Sequence, residues 1–108
     1  MHVVIGGSDG LGKKIIESLN GLGLETVNIA RRSNNEAQRN ILSDLSNEDG
    51  IRIAVDGLRN IKNSLEAIYI SAGVFSFQDI GDFTATEFER VFAINTRSPF
   101  LIISALLD

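Results

Sequence analysis

A glycine-rich segment near the start of the sequence has the residue types and spacing that bind phosphate. Gly6, Gly10 and Gly12 follow the apolar run Val3–Ile5 and precede a helical pattern of apolar residues. Glycine adopts the backbone conformations of a sharp turn, and without a Cβ it lets a phosphate approach the main chain. The N–H groups at a helix N-terminus then attract the anion. The segment therefore predicts a dinucleotide phosphate site, although a glycine turn at this place can also be purely structural.

Two arginines after the second predicted strand indicate which dinucleotide would bind. In NAD-selective folds an acidic residue about 20 residues after the glycines bonds the ribose 2′-hydroxyl. Here Ala30 stands at that place and is followed by Arg31 and Arg32. A guanidinium holds a phosphate through charge-assisted, often bidentate hydrogen bonds, so we predict that NADP(H) is preferred over NAD(H). The alternatives are that the arginines are merely solvated and that the charge of Asp9 opposes a phosphate there.

These residues must be positioned by the elements around them, and the sequence alternates short β-type runs with helical patterns. Strands are predicted at residues 3–5, 25–30, 40–42 and 67–70. Helices are predicted over residues 11–22, from Ser46 through Ile61, and from a Thr84–Glu87 capping box onward. Such alternation is typical of a doubly wound parallel sheet with right-handed crossovers. The link from Ala30 to Asn40 is shorter than a usual helical crossover, so we expect irregular chain or a single helical turn there.

Composition excludes several other classes of site. The 108 residues contain no cysteine and one histidine, His2, which excludes disulfides, thiolate metal sites and a multi-histidine metal site within the chain. The formal net charge of −4 argues against a nucleic-acid partner, which would need a basic face. The longest apolar stretch, Phe100–Leu107, is far shorter than the roughly 18 residues of a membrane span. We therefore expect a folded cytoplasmic protein without a metal site, a nucleic-acid partner or a membrane anchor.

The glycine spacing resembles the first motif of the short-chain dehydrogenase/reductase family, T-G-x-x-x-G-x-G. Residues 5–12 match this motif, with Ile5 in place of the threonine. Asp44–Leu45 match the family's acidic position after the third strand, which lies near the adenine. Ser71–Gly73 match part of its N-N-A-G motif, with an isoleucine in place of the first asparagine, and Asn95 matches its helix asparagine.

The resemblance implies an α/β fold with a Rossmann-type doubly wound parallel sheet in the strand order 3-2-1-4. Residues 1–108 would form a single NAD(P)-binding domain that is incomplete at its C-terminus, truncated before the later strands. The resemblance further implies an oxidoreductase that transfers hydride between NADP(H) and a small carbonyl or alcohol substrate. The cofactor-binding residues would be Gly6, Ser8, Asp9, Gly10, Leu11, Gly12, Arg31, Arg32, Asp44, Leu45, Ser71, Ala72 and Gly73.

The catalytic residues that the resemblance implies are represented by Asn95 alone. In the family the matching asparagine helps to hold a water in the proton relay of the catalytic lysine. The family's Tyr-x-x-x-Lys pair has no counterpart, because the single tyrosine, Tyr69, is followed four residues later by Gly73 and is predicted to lie in a buried core. We expect the chain alone to be an inactive cofactor-binding half. The alternative is a non-catalytic dinucleotide-binding module; a nucleotide-sugar epimerase is a weaker one, since Lys13 stands where its motif needs glycine.

The last predicted helix combines a polar residue on an apolar stripe with a proline. Asn95 falls on the same face as Val91, and a buried amide without a hydrogen bond costs about 1–3 kcal/mol, so a satisfied structural asparagine is the alternative to a catalytic one. Pro99 has no N–H for the carbonyl of Asn95, which predicts a kink that frees this carbonyl. The stretch Pro99–Leu107 is apolar nearly all round, as a buried helix is, and the resemblance implies a homo-oligomer through it. Val74–Asp82 is expected to line the mouth of the site.

Overall fold

The computed structural model describes residues 1–107. Its strands are β1 (His2–Ile5), β2 (Thr26–Ala30), β3 (Arg39–Leu42) and β4 (Ala67–Ile70). Its longer helices are α1 (Gly10–Gly21), α2 (Glu48–Asn60), α3 (Ala85–Phe92) and α4 (Ser98–Leu106), with 3₁₀ turns at Lys62–Ser64 and Ile80–Asp82. All strand pairs are parallel, in the order β3-β2-β1-β4. The predicted Rossmann-type sheet with the strand order 3-2-1-4 is confirmed.

Helices cover both faces of the sheet because successive strand residues point to opposite faces. On one face, Val3 and Ile5 pack with the apolar side of α2 and with Ile102 of α4. On the other face, Val4 packs with Ile16 of α1. Strands β1 and β2 form the buried centre of the sheet. Their carboxyl ends meet at the edge where α/β sheets of this kind bind ligands.

The connection between β2 and β3 contains no helix, as its length predicts. Residues 31–38 form turns and irregular chain. Ala37 packs against the cluster on the α1 face, and the buried Asn34 donates a hydrogen bond from Nδ2 to the carbonyl of Gly7 at 2.8 Å. Polar side chains therefore do part of the packing that a crossover helix would otherwise do.

Helix α2 begins later than the predicted start at Ser46. Asn47 caps the helix, and its Oδ1 accepts the N–H of Gly50 at 2.7 Å. Ser46 instead donates from Oγ to Oδ1 of Asp44 at 2.6 Å. Serine and asparagine are both favoured at helix N-termini, so the residue types alone do not choose between them. Because the Ser46 hydroxyl donates to the carboxylate of Asp44, Asn47 rather than Ser46 caps the helix.

The prediction that Tyr69 lies in a buried core is confirmed only in part, because Tyr69 packs against the core cluster on the α1 face but is not fully buried. Within residues 1–107, strand β4 pairs with β1 alone and is therefore only partly buried. The Tyr69 ring stacks on His2 with ring centroids 6.0 Å apart, and its hydroxyl lies 3.1 Å from Nδ1 of His2. An apolar run predicts a strand but carries no information about whether a further strand covers its outer edge.

Helices α3 and α4 are joined by a π-helical turn at Ala93–Arg97. The N–H of Ser98 donates to the carbonyl of Ala93, five residues earlier, and its Oγ donates to the carbonyl of Ile94 at 2.9 Å. Pro99 has no N–H, and in a regular α-helix its ring would crowd the carbonyl four residues earlier. The helix departs from α geometry just before Pro99 through this wider turn, while the predicted release of the Asn95 carbonyl stays a prediction.

Helix α4 is buried on one side only, although its residues are apolar nearly all round. Ser98 and Ile102 are fully buried, whereas Phe100 is 70% exposed. Phe88 and Phe92 of α3 stack with centroids 6.2 Å apart and are exposed as well. None of the helices described here is long and apolar enough to cross a membrane.

Candidate functional site

A cleft of about 750 Å³ opens at the carboxyl ends of the strands. Its volume lies within the range of small-molecule sites, roughly 300–1,000 Å³. It is lined by the residues that follow each strand, and it brings together every predicted cofactor-binding residue except Gly12. These lining residues are Gly6, Ser8, Asp9, Gly10, Leu11, Arg31, Arg32, Asp44, Leu45, Ser71, Ala72 and Gly73. Gly12 is not among the lining residues; it follows Leu11 in the first turn of α1, where the helix packs against the carbonyl of Gly6.

The glycine loop after β1 requires glycine for two separate reasons. Gly6 has a φ of +89°, and a Cβ on it would lie 2.6 Å from the N–H nitrogen of Ala72. Gly12 has an ordinary helical conformation, but a Cβ on it would overlap the carbonyl oxygen of Gly6. The first glycine therefore makes the turn possible, and the last one lets α1 start directly against β1. This close start brings the helix N-terminus to the edge of the cleft.

The N-terminus of α1 has donors available for an anion. Asp9 caps the helix: its Oδ1 accepts the N–H of Gly10 at 2.7 Å, and its carbonyl accepts the N–H of Lys13 at 3.2 Å. The N–H groups of Leu11 and Gly12 precede the first intrahelical bond and so have no partner within the helix. Together with the partial positive charge of the helix end, they fit a phosphate of a dinucleotide.

The carboxylates at this end of the cleft, Asp9 and Asp44, both have partners in the structure. The carboxylate of Asp9 lies 3.6 Å from the guanidinium of Arg32, and both side chains are largely exposed. Oδ1 of Asp44 accepts hydrogen bonds from Oγ and N–H of Ser46 at 2.6 and 2.9 Å. These two bonds, with a smaller contribution from the charge of Arg31, hold the pKa of Asp44 below its usual range.

Replacing Ser46 by alanine is expected to raise the pKa of Asp44 and to lower stability at neutral pH by about 1 kcal/mol. A lowered folded-state pKa stabilises the fold above the ordinary aspartate value of about 3.9, and this contribution is lost as the pH falls through the lowered value. The difference in unfolding free energy between wild type and Ser46→Ala should therefore shrink as the pH is taken down to about 3. Denaturant unfolding at several pH values, with an NMR titration of Asp44, measures both quantities.

Ser18→Ala is the matched control, because Ser18 is exposed on α1, away from any cleft carboxylate. It should leave the pH profile of stability unchanged. A stability loss in Ser46→Ala that is the same at every pH would contradict the electrostatic explanation and would indicate that the hydroxyl acts through packing.

Asn95 does not face the core, contrary to the prediction from the apolar stripe. Its side chain is exposed and turns to the loop that follows β4. Nδ2 donates to the carbonyl of Val74 at 2.7 Å, and Oδ1 accepts the N–H of Val74 at 2.8 Å. The amide thus ties the π-helical turn to a residue that lines the cleft. Its catalytic role stays a prediction, and its structural role is to hold this loop.

Val74 and Phe75 line the cleft and belong to the stretch Val74–Asp82 that was expected at its mouth. Several other residues of the cleft were not predicted from the sequence, namely Ile29, Ala30, Ser43, Ile70 and Ile94. Most stand at or beside the carboxyl end of a predicted strand, and that position was the available signal. Oγ of Ser43 is a buried polar atom with no hydrogen-bond partner among the described residues. Within residues 1–107, no group of three or more His, Cys, Asp or Glu side chains is placed to hold a metal ion.

Comparison with known proteins gives matches along the whole chain. The family described as short chain dehydrogenase matches residues 1–108. The trihydroxynaphthalene reductase PfmaI of Pestalotiopsis fici is 35% identical over 78 residues, which cover 72% of this chain and 27% of that protein.

Solved structures of short chain dehydrogenases have the same fold. The protein from Leptospira borgpetersenii with bound NAD+ superposes with a TM-score of 0.83 at 22% identity, covering 97% of this chain and 43% of that one. The protein from Burkholderia cenocepacia in complex with NADP gives a TM-score of 0.84 at 23% identity, covering 98% and 49%. The chain therefore spans less than half the length of each of these proteins, and the likeness of fold does not choose between the two cofactors.

Proposed function

Because the chain belongs to the short-chain dehydrogenase/reductase family, we propose that it binds NADP(H) in preference to NAD(H) and forms the cofactor-binding part of an oxidoreductase. The substrate would be a small carbonyl compound or alcohol. The observation that carries the proposal is that two anion-binding features lie in one cleft. They are the glycine loop after β1 and the arginine pair after β2.

The two features would bind different phosphates of the same ligand. The N–H groups of Leu11 and Gly12 at the helix N-terminus would receive the pyrophosphate. Arg31 and Arg32 follow the adjacent strand β2, where the adenosine ribose lies in folds of this kind, and would bind the 2′-phosphate. When bound, the nicotinamide supplies or accepts the hydride.

The remaining cleft residues would hold the two ends of the cofactor. Asp44 and Leu45, after β3, would contact the adenine, as the family resemblance implies. Ser71–Gly73, after β4, would line the opposite side, where the Gly6 backbone lies close to Ala72. Asn95 would keep Val74 beside the cleft through its two hydrogen bonds.

Hydride transfer also needs a proton donor beside the substrate oxygen. The family's Tyr-x-x-x-Lys pair has no counterpart in these 108 residues, and Tyr69 does not line the cleft, since its hydroxyl lies against His2. We therefore propose that the chain binds the cofactor without completing the reaction by itself. The second candidate is a non-catalytic dinucleotide-binding module.

Titration of the 108-residue chain with NADPH and NADH, followed by nicotinamide fluorescence, tests the proposal. We expect saturable binding of both cofactors, with NADPH the tighter ligand. Absence of binding in a chain shown to be folded by circular dichroism would overturn it. An assay of NADPH-dependent reduction of simple ketones and aldehydes, made on a protein that contains this chain, separates the two candidates. Turnover would support the oxidoreductase, and cofactor binding without turnover would support the binding module.

Replacing Asp9 by asparagine is expected to strengthen NADPH binding about two- to fivefold and to leave NADH binding nearly unchanged. The substitution removes a negative charge beside the proposed 2′-phosphate position and releases Arg32 from its ion pair. The expected gain is small because exposed ion pairs are worth about 0–1 kcal/mol. Asparagine is as good a helix cap as aspartate, so the fold should be retained. Paired titrations in low-salt buffer measure the effect.

Asp49→Asn is the control for this substitution. Asp49 lies in the first turn of α2 and pairs with Arg52 at 3.2 Å, outside the cleft. It changes the net charge equally and should leave both affinities unchanged. Weaker NADPH binding by Asp9→Asn would show that the carboxylate supports the site rather than opposing the phosphate.

We also propose that the chain associates into homo-oligomers through α4. Phe100 of α4 is 70% exposed, and Leu107, directly after the helix, is 81% exposed. Exposed apolar surface of this kind favours association. Sedimentation velocity tests the proposal, and a stable monomer at all concentrations would contradict it.

A further inference from the structure

We propose that Asn28 is a positioning residue that fixes the glycine loop relative to the arginine loop, residues 31–38, and thereby sets the preference for ligands with a 2′-phosphate. The inference rests on the proposed NADP(H) site and adds a residue that does not line the cleft. Asn28 stands in the middle of β2 and is fully buried.

Two of the three hydrogen bonds of Asn28 join the two loops directly, and the third reaches strand β3. Oδ1 accepts the N–H of Gly7, in the glycine loop, at 2.9 Å. Nδ2 donates to the carbonyl of Arg32 at 3.0 Å and to Oδ1 of Asn40 at 2.9 Å. One buried side chain therefore holds the main chain of both proposed phosphate subsites.

Two further asparagines complete this link. Nδ2 of Asn34 donates to the carbonyl of Gly7 at 2.8 Å, so asparagine side chains bind both the N–H and the carbonyl of that glycine. Oδ1 of Asn40 accepts the N–H of Asn34 at 2.8 Å, and Nδ2 of Asn40 donates to its carbonyl at 3.1 Å. Interlinked hydrogen bonds of this kind polarise one another and can contribute more than the same bonds made separately.

The position of Arg32 depends on this link because its side chain is poorly held. The guanidinium is 74% exposed, and its ion pair with Asp9 is long, at 3.6 Å. A flexible cation binds a phosphate best when its main chain is already in place, since less motion is then lost on binding. Asn28 supplies that restraint from inside the sheet. An apolar residue there would leave the Gly7 N–H unpaired in the interior, where polar groups without partners are costly.

The test compares 2′,5′-ADP with 5′-AMP as ligands of the 108-residue chain. The first probe carries phosphates for both subsites, and the second carries only the 5′-phosphate. The variants are Asn28→Ser and, as a milder change at an exposed position, Asn40→Ala. In both we expect the preference for 2′,5′-ADP over 5′-AMP to fall about tenfold, the loss expected for one charge-assisted hydrogen bond. Affinities are taken by calorimetry at a temperature where circular dichroism shows each variant folded.

Asn20→Ala is the matched control. Nδ2 of Asn20 donates to the carbonyl of Glu36 at 2.8 Å, so it holds the same loop without contact to Gly7 or Arg32. This variant should keep the wild-type ratio, because a general loosening of the fold weakens both probes alike. An unchanged affinity ratio in both Asn28→Ser and Asn40→Ala, or an equal fall of this ratio in Asn20→Ala, overturns the inference about Asn28 but leaves the proposed function standing. Failure of the wild type to bind either probe overturns the proposed function as well.

Discussion

Replacing Gly12 by alanine is expected to weaken dinucleotide binding about a hundredfold, the loss that misplacing a binding group by about 1 Å can cause. The new Cβ would overlap the carbonyl oxygen of Gly6, so the start of α1 must move away from β1. That movement displaces the free N–H groups of Leu11 and Gly12 from the cleft. Inserting a methyl group into a packed contact also costs about 1–3 kcal/mol of stability. Titration with NADPH and denaturant unfolding measure the two effects.

Gly21→Ala, at the other end of the same helix, is the control. A Cβ at Gly21 would meet no atom within 4 Å. Alanine is the better residue in a helix, so this variant should gain about 0.5–1 kcal/mol of stability and bind as the wild type does. Tight binding by a folded Gly12→Ala variant would refute the proposed placement of the phosphate.

The double substitution Arg31→Ala/Arg32→Ala is expected to weaken NADPH binding about ten- to a hundredfold and to leave NADH binding nearly unchanged. A hydrogen bond from a guanidinium to a phosphate is worth roughly 1.5–3 kcal/mol. NADH has no 2′-phosphate, so its affinity does not include this bond. Both arginines are exposed, so the fold should tolerate their removal. The dissociation constants of both cofactors, measured at low and at high salt, give the result.

Arg52→Ala/Arg90→Ala removes the same charge elsewhere. Both side chains pair within their own helices, with Asp49 and Glu87, and neither lines the cleft. This control separates a local contact from the general effect of net charge on binding an anion. If the Arg31→Ala/Arg32→Ala variant keeps the wild-type preference, the arginines do not set it.

The elements that carry local signals could be predicted from the sequence. The glycine spacing, the apolar runs of the strands and the length of the β2–β3 connection each depend on neighbouring residues, and the structure agrees with all of them. The cleft at the strand ends follows from the same topology, because the carboxyl ends of parallel strands meet at one edge.

The features that depend on distant partners could not be predicted in this way. Asn95 falls on an apolar stripe, yet it bonds Val74, which lies 21 positions away along the chain. Tyr69 has the neighbours of a core residue, yet no strand lies beyond β4 in residues 1–107. Asn28 did carry a signal, since a polar residue inside a buried strand needs a partner. Its partners in the two loops become evident only in three dimensions.

The π-helical turn at Ala93–Arg97 sets the rotation of α4 about its own axis. A π turn holds one more residue than an α-helical turn, so it is equivalent to a single-residue insertion into a continuous helix. One residue corresponds to about 100° of rotation in an α-helix, because a turn contains about 3.6 residues. Without the extra residue, everything after it would be rotated by that angle, and Ile102 would leave the core it now fills. The extra residue therefore sets which side of α4 packs against the core and which side, including Phe100, is exposed.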